Sequence, residues 1–219
     1  MIHISYDQMH ELIDKGLAAQ KYAWNNYEML VARKSSYVLY GPHATFLGAA
    51  SPCHVTRADA RNVKTKTRRK KYTKYELDEF YNIIRITHVH QDGRIWGVNH
   101  LFEINGTTYS CCFAEDKKMF VDYRVEAFKL ERGKALFYAQ TGTNDVFCEF
   151  YEYPGNGKRL CTGYMYCRTC EKTLYRLDPN WDAPYGAPDS PVSVDCYEDT
   201  LLELDFSKYF MGEKEEKTD

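Results

Sequence analysis

Residues 82–113 read NIIRITHVHQDGRIWGVNHLFEINGTTYSCCF. β-Branched and aromatic residues recur in three runs, and two turn dipeptides, Asp92-Gly93 and Asn105-Gly106, separate them. Both dipeptides favour two-residue hairpin loops, because Asn, Asp and Gly tolerate the positive φ such loops require. The stretch therefore predicts three antiparallel strands. With each dipeptide central in its loop, Val89 faces Trp96, Thr87 faces Val98 and Ile83 faces Phe102. Across the second turn, Phe102 faces Tyr109 and His100 faces Cys111. This face is the more apolar one and is the predicted core face.

Working outward, strands are predicted at 36–40, 44–49, 119–130, 134–140, 145–153 and 158–166, with Gly155-Asn156-Gly157 as a further turn. Upstream, Ser5 and Gln8 form a capping-box pattern, and Met9, Leu12, Ile13 and Leu17 recur at helical spacing. Gly16 is expected to break or bend this helix. A second helical stretch to about Lys34 places Trp24, Tyr27, Leu30 and Val31 on one face. The predicted fold is α+β: an N-terminal helical segment (about 5–34) packed on a mainly antiparallel sheet or open barrel, in one domain over 1–206. Residues 207–219 are predicted to be a solvated tail.

Composition agrees with a β-rich globular chain. Of 219 residues, 44% are hydrophobic, enough for a sizeable core, and 19 Tyr and 11 Phe suit half-buried strands. No apolar run approaches the ~18 residues of a membrane-spanning helix. The N-terminus has neither the basic and apolar regions nor the cleavage site of a signal peptide. The expectation is a cytoplasmic protein whose eight cysteines are reduced thiols or metal ligands rather than disulfides.

The net charge of −2 is segregated. Residues 57–74 hold nine cations and one carboxylate, a local +8, and residues 178–205 hold eight carboxylates with no Lys or Arg. A cationic run of this density is suited to phosphate backbones. The predicted nucleic-acid-binding residues are Arg61, Lys64, Lys66, Arg68, Arg69, Lys70, Lys71 and Lys74, with Tyr72 and Tyr75 placed to stack on bases. The leading expectation is a non-enzymatic domain that binds nucleic acid or a nucleoprotein complex. An alternative is a protein-interaction module or inhibitor, of the mobile-element accessory or anti-defence kind, that engages a basic protein surface through residues 178–205.

Two patterns suggest metal. Cys167-Arg168-Thr169-Cys170 sets two thiolates at a spacing that reaches one tetrahedral ion from a tight turn. Cys161 adds a third ligand to the predicted structural zinc set, and Cys196 or Cys148 a fourth. His88-Val89-His90 places two imidazoles on one face of a strand. It resembles the His-hydrophobic-His motif of rolling-circle replication and mobilisation nucleases. The resemblance implies a metal-dependent nuclease with a helical tyrosine nucleophile. That family's Tyr followed four residues later by Lys has no match here: Tyr123 is followed by Ala127 and Tyr153 by Gly157.

Overall fold

A computed structural model of the chain describes residues 4–41, 63–132, 134–155, 158–168, 194–195 and 206–211. It has the α+β architecture expected. Helices α1 (Tyr6–Asn25) and α2 (Tyr27–Ala32) precede strands β1 (Tyr37–Gly41), β2 (Tyr72–Leu77), β3 (Ile83–Val89), β4 (Ile95–Ile104) and β5 (Thr107–Phe113). These continue into β6 (Phe120–Glu131), β7 (Lys134–Thr141), β8 (Asp145–Gly155), β9 (Lys158–Cys167) and the two-residue β10 (Val194–Asp195). A short helix, α3 (Lys208–Met211), follows. The strands form one antiparallel sheet whose spatial order is their chain order. Among the described residues no helix is long and apolar enough to cross a membrane.

The two turns of the opening stretch behave differently. Asn105 and Gly106 have φ of 51° and 74°, the two-residue loop expected of this dipeptide. Phe102 accordingly pairs with Tyr109, and His100 with Cys111. At the other turn Gly93 N–H donates to His90 O and His90 N–H donates to Arg94 O, each at 2.9 Å. The loop is therefore three residues, 91–93, with Gly93 in the left-handed region at φ 82°. The extra loop residue slips the adjoining register by one. Val89 pairs with Ile95, not Trp96, and Trp96 is left 43% exposed. A β-bulge between Thr87 and Val89 restores the expected alignment, so Thr87 pairs with Val98.

Both faces of the sheet are buried, which corrects the single core face read from the sequence. One face carries α1. Here Met9, Ile13, Ala19 and Ala23 pack on Phe102, Tyr109, Cys111, Val125, Ala139 and Cys148. The opposite face buries Leu39, Tyr75, Leu77, Ile86, Leu101, Phe128, Tyr138 and Tyr151. Ile83 packs with this second set rather than beside Phe102, because β2 and β3 shift register between Glu76 and Leu77.

Helix α1 opens with the capping box: Ser5 Oγ accepts from Gln8 N–H, and Gln8 Oε1 accepts from Ser5 N–H. It runs uninterrupted through Gly16, which is a contact point and not a break. A Cβ at Gly16 would lie 1.9 Å from Thr141 Oγ1, so the missing side chain sets how closely helix and sheet approach. Tyr27 and Leu30 of α2 face the core, whereas Trp24 of α1 and Val31 of α2 are each 41% exposed. Arg85 donates to the carbonyls of Val31 and Arg33 at 3.2 and 2.8 Å, satisfying carbonyls that the end of α2 leaves open.

Two segments depart from expectation. β2 lies between β1 and β3 and takes in the last residues of the basic segment 57–74, where the sequence reading placed no strand. Residues 207–211 are not a solvated tail. Phe206, Tyr209 and Phe210 pack against the face opposite α1, and Phe210 lies 4.7 Å from the Tyr37 ring. The predicted strand at 44–49 lies outside the described residues.

Candidate nucleic-acid interface

The described part of the basic segment, 63–74, is anchored at Lys64 and at Tyr72. β1 is an edge strand of the sheet, and its outer edge is bridged by Lys64. Tyr40 N–H donates to Lys64 O and Lys64 N–H to Tyr40 O, each at 2.8 Å. Val63 is buried beside them, packed with Leu39 and Tyr75. Gly41 makes room for this contact, since a Cβ there would meet Tyr75 at 3.0 Å and Val63 at 3.6 Å. At the far end the chain enters β2 at Tyr72. Between these anchors, Thr67 Oγ1 accepts from Arg69 N–H at 3.1 Å, a local side-chain turn that holds the loop's course.

Beside the β1 edge lies an open cleft of about 330 Å³ lined, among the described residues, by Tyr40, Gly41, Lys64, Lys66, Thr67, Arg68 and Arg69. Four of these seven described residues are cationic and none of the seven is acidic. Lys64, Lys66, Arg68, Arg69, Lys70 and Lys71 are exposed. Lys66, Arg68, Lys70 and Lys71 have no ion-pair partner among the described residues.

Two predicted contributors belong elsewhere. Tyr75 is 7% exposed and part of the core opposite α1, so its ring offers no surface to a base. Period-two alternation explains this: Thr73, Tyr75 and Leu77 of β2 point to the buried face. Lys74 points the other way, and Glu76 Oε1 accepts its ammonium at 3.2 Å. That carboxylate is itself buried and also pairs with Arg85 at 3.5 Å. Lys74 is thus spent on the interior. Tyr72 is half-buried, edge-to-face with Tyr40 at 5.5 Å. Tyr40 was not among the predicted residues. It lies 24 positions before Lys64 in the sequence, and only the β1 edge bridge brings them together. Arg61 lies outside the described residues, as do residues 178–193 and 196–205 of the acidic stretch.

The predicted zinc set does not assemble as drawn. Cys161 and Cys167 both lie on β9, which is extended between them. Six residues of strand span roughly 20 Å, whereas two thiolates on one zinc ion sit within about 4 Å. Cys161 is instead buried in the core opposite α1. Cys170 and Cys196 lie outside the described residues. Among the described residues no three His, Cys, Asp or Glu side chains form a group able to hold a metal.

His88 is buried, with Nδ1 3.2 Å from Thr73 Oγ1, and His90 lies beyond the end of β3 at the turn. His88 therefore lies within the strand, paired with Thr73 of β2, while His90 lies past its end. His100 sits on the face that carries α1, edge-on to Phe113 at 5.8 Å. Burial, reinforced by the nearby charges of Arg85 and Arg33, pushes its imidazole down to about 4. Cys112, buried on β5, is pushed up to about 12 chiefly by burial, which keeps it an unreactive thiol.

Compared with models of known protein families, with curated proteins and with solved structures, the chain matches none.

Proposed function

We propose that the protein is a non-enzymatic nucleic-acid-binding domain that grips phosphates with the loop at the β1 edge. The observation that carries this reading is the cleft of Tyr40, Lys64, Lys66, Thr67, Arg68 and Arg69, whose described lining has four cations and no carboxylate. Lys70 and Lys71 extend the charge past the rim. The sheet supports the reading by fixing both ends of the loop, through the Lys64 bridge and through β2. A pre-ordered cationic loop loses less conformational entropy on binding than a mobile one.

Each phosphate neutralised releases condensed counterions, so binding weakens with salt by about 0.7–0.9 logarithmic units per contact. Contacts from Lys66, Arg68, Lys70 and Lys71 give a slope near 3, or about a 50-fold loss of affinity between ~50 and ~200 mM salt. Replacing all four by Gln is expected to remove most of that slope, read by fluorescence anisotropy with a labelled oligonucleotide. Affinity and slope that survive the four substitutions overturn the reading.

A further inference from the structure

We infer that the cleft takes single-stranded rather than duplex nucleic acid, with Tyr40 as the surface on which a base stacks. The inference rests on the nucleic-acid reading above and narrows it. Three features of the site converge on it.

The first is shape. The cationic side chains line a concavity of about 330 Å³, near the lower end of the ~300–1,000 Å³ of clefts that hold small molecules. Such a space has room for a nucleotide-sized unit. A base inside a duplex cannot enter without first leaving its stack and its partner.

The second is what carries the charge. Duplex readout in the major groove uses a helix or a two-stranded ribbon. Here the cations from Lys66 to Lys71 lie on an irregular segment. Helix α1, the longest helix described, packs its Met9–Ile13–Ala19–Ala23 face on the sheet. Among the described residues of the basic loop, none forms a helix or a two-stranded ribbon that could read a groove.

The third is the aromatic wall. Tyr40 lines the same cleft as Lys66 and Arg68, and its position is fixed from both sides. It pairs with Lys74 in β2 on one edge and is bonded to Lys64 on the other. Tyr72 packs against its ring. An unpaired strand presents phosphates and unstacked bases in alternation. A cleft with cations and a held tyrosine meets both, and stacking of this kind tolerates any base.

The test uses the whole chain and two labelled probes followed by anisotropy: an oligothymidylate of about twelve nucleotides and its duplex with oligoadenylate. The single strand is expected to bind at least about tenfold tighter than the duplex. Tyr40→Leu keeps a bulky residue on the strand but removes the ring, and it is expected to weaken single-strand binding at least about fivefold. Tyr40→Phe is expected to keep wild-type affinity. Because a change on β1 also touches folding, an abasic oligomer of the same length is measured on the unaltered protein. It carries the phosphates without the bases and is expected to bind at least about fivefold more weakly than oligothymidylate. Equal affinity for single strand and duplex, or for abasic and normal strands, overturns the single-strand inference and leaves phosphate binding standing. Binding of neither probe, or of an acidic polypeptide alone, overturns both.

Discussion

Replacing Gly16 by Ala reverses the usual sign of a glycine-to-alanine change in a helix. In a solvated helix interior the substitution stabilises by about 0.5–1 kcal/mol, because Gly loses more backbone freedom on folding. Gly16 is buried at the middle of α1, and a Cβ there meets Thr141 Oγ1 at 1.9 Å and Thr141 Cβ at 2.7 Å. Rotation about χ1 moves the hydroxyl but not Cβ, so a rotamer change cannot clear the contact. Thr141 is 2% exposed, sits on β7 between β6 and β8, and its hydroxyl donates to Val125 O at 3.3 Å. The strand is therefore held, and α1 must lift. Lifting loosens Met9 and Ile13 on one side of Gly16 and Ala19 and Ala23 on the other. Overpacking of this kind costs about 1–3 kcal/mol, which outweighs the gain in propensity. For a chain of this size each kcal/mol lowers Tm by about 2–4 °C, so Gly16→Ala is expected to melt several degrees below wild type by circular dichroism. In a Thr141→Ala background, where the hydroxyl and methyl are gone, the same change should cost at least about 1 kcal/mol less. A Gly16→Ala protein that melts above wild type would refute the close helix–sheet approach.

Four further outcomes follow from the structure. His100, held neutral at about 4 by burial, ionises near 6.5 in the unfolded chain. Stability is therefore complete above that value and falls by up to about 3 kcal/mol as pH drops from ~6.5 to ~4; urea midpoints for His100→Phe should lose most of this slope, and an unchanged slope rejects the assignment. Tyr75→Phe and Lys74→Gln should leave oligonucleotide affinity within about twofold, whereas Arg68→Gln should lower it by roughly the worth of one phosphate contact; a larger loss with Tyr75→Phe would return that ring to the interface. Cys161→Ser should leave the metal content of the purified protein unchanged, measured by mass spectrometry of the digested sample, since Cys161 lies about 20 Å along β9 from Cys167. Arg168→Ala removes donors to His10 Nδ1, His10 O and Asp14; it should destabilise by about 1–3 kcal/mol and raise amide exchange at the start of α1.

The hairpins and most strand boundaries were legible because they depend on local chemistry. Asn105-Gly106 needs positive φ at both positions whatever surrounds it, and the pairs around it follow directly. The capping box is equally local. β2 was hidden by its charge, although Thr73, Tyr75 and Leu77 alternate with Tyr72, Lys74 and Glu76 in the pattern of a strand. Helix α3 was hidden by its shortness, because four residues carry no periodicity of their own. The slip at Asp92-Gly93 turned on a choice between two loop lengths that this dipeptide does not decide.

By itself the sequence determined an α+β chain, its meander of hairpins and the density of cations before β2. Those properties are set by residues near one another along the chain. Tertiary structure decided which of the candidate binding residues share a site. It buried Tyr75, paired Lys74 with Glu76, set Cys161 far from Cys167, and brought Tyr40 to the cationic cleft. Each of those outcomes depends on which face of a strand a side chain takes and on what crosses the strand's edge. Both are fixed by the register between strands and by the bridge at Lys64.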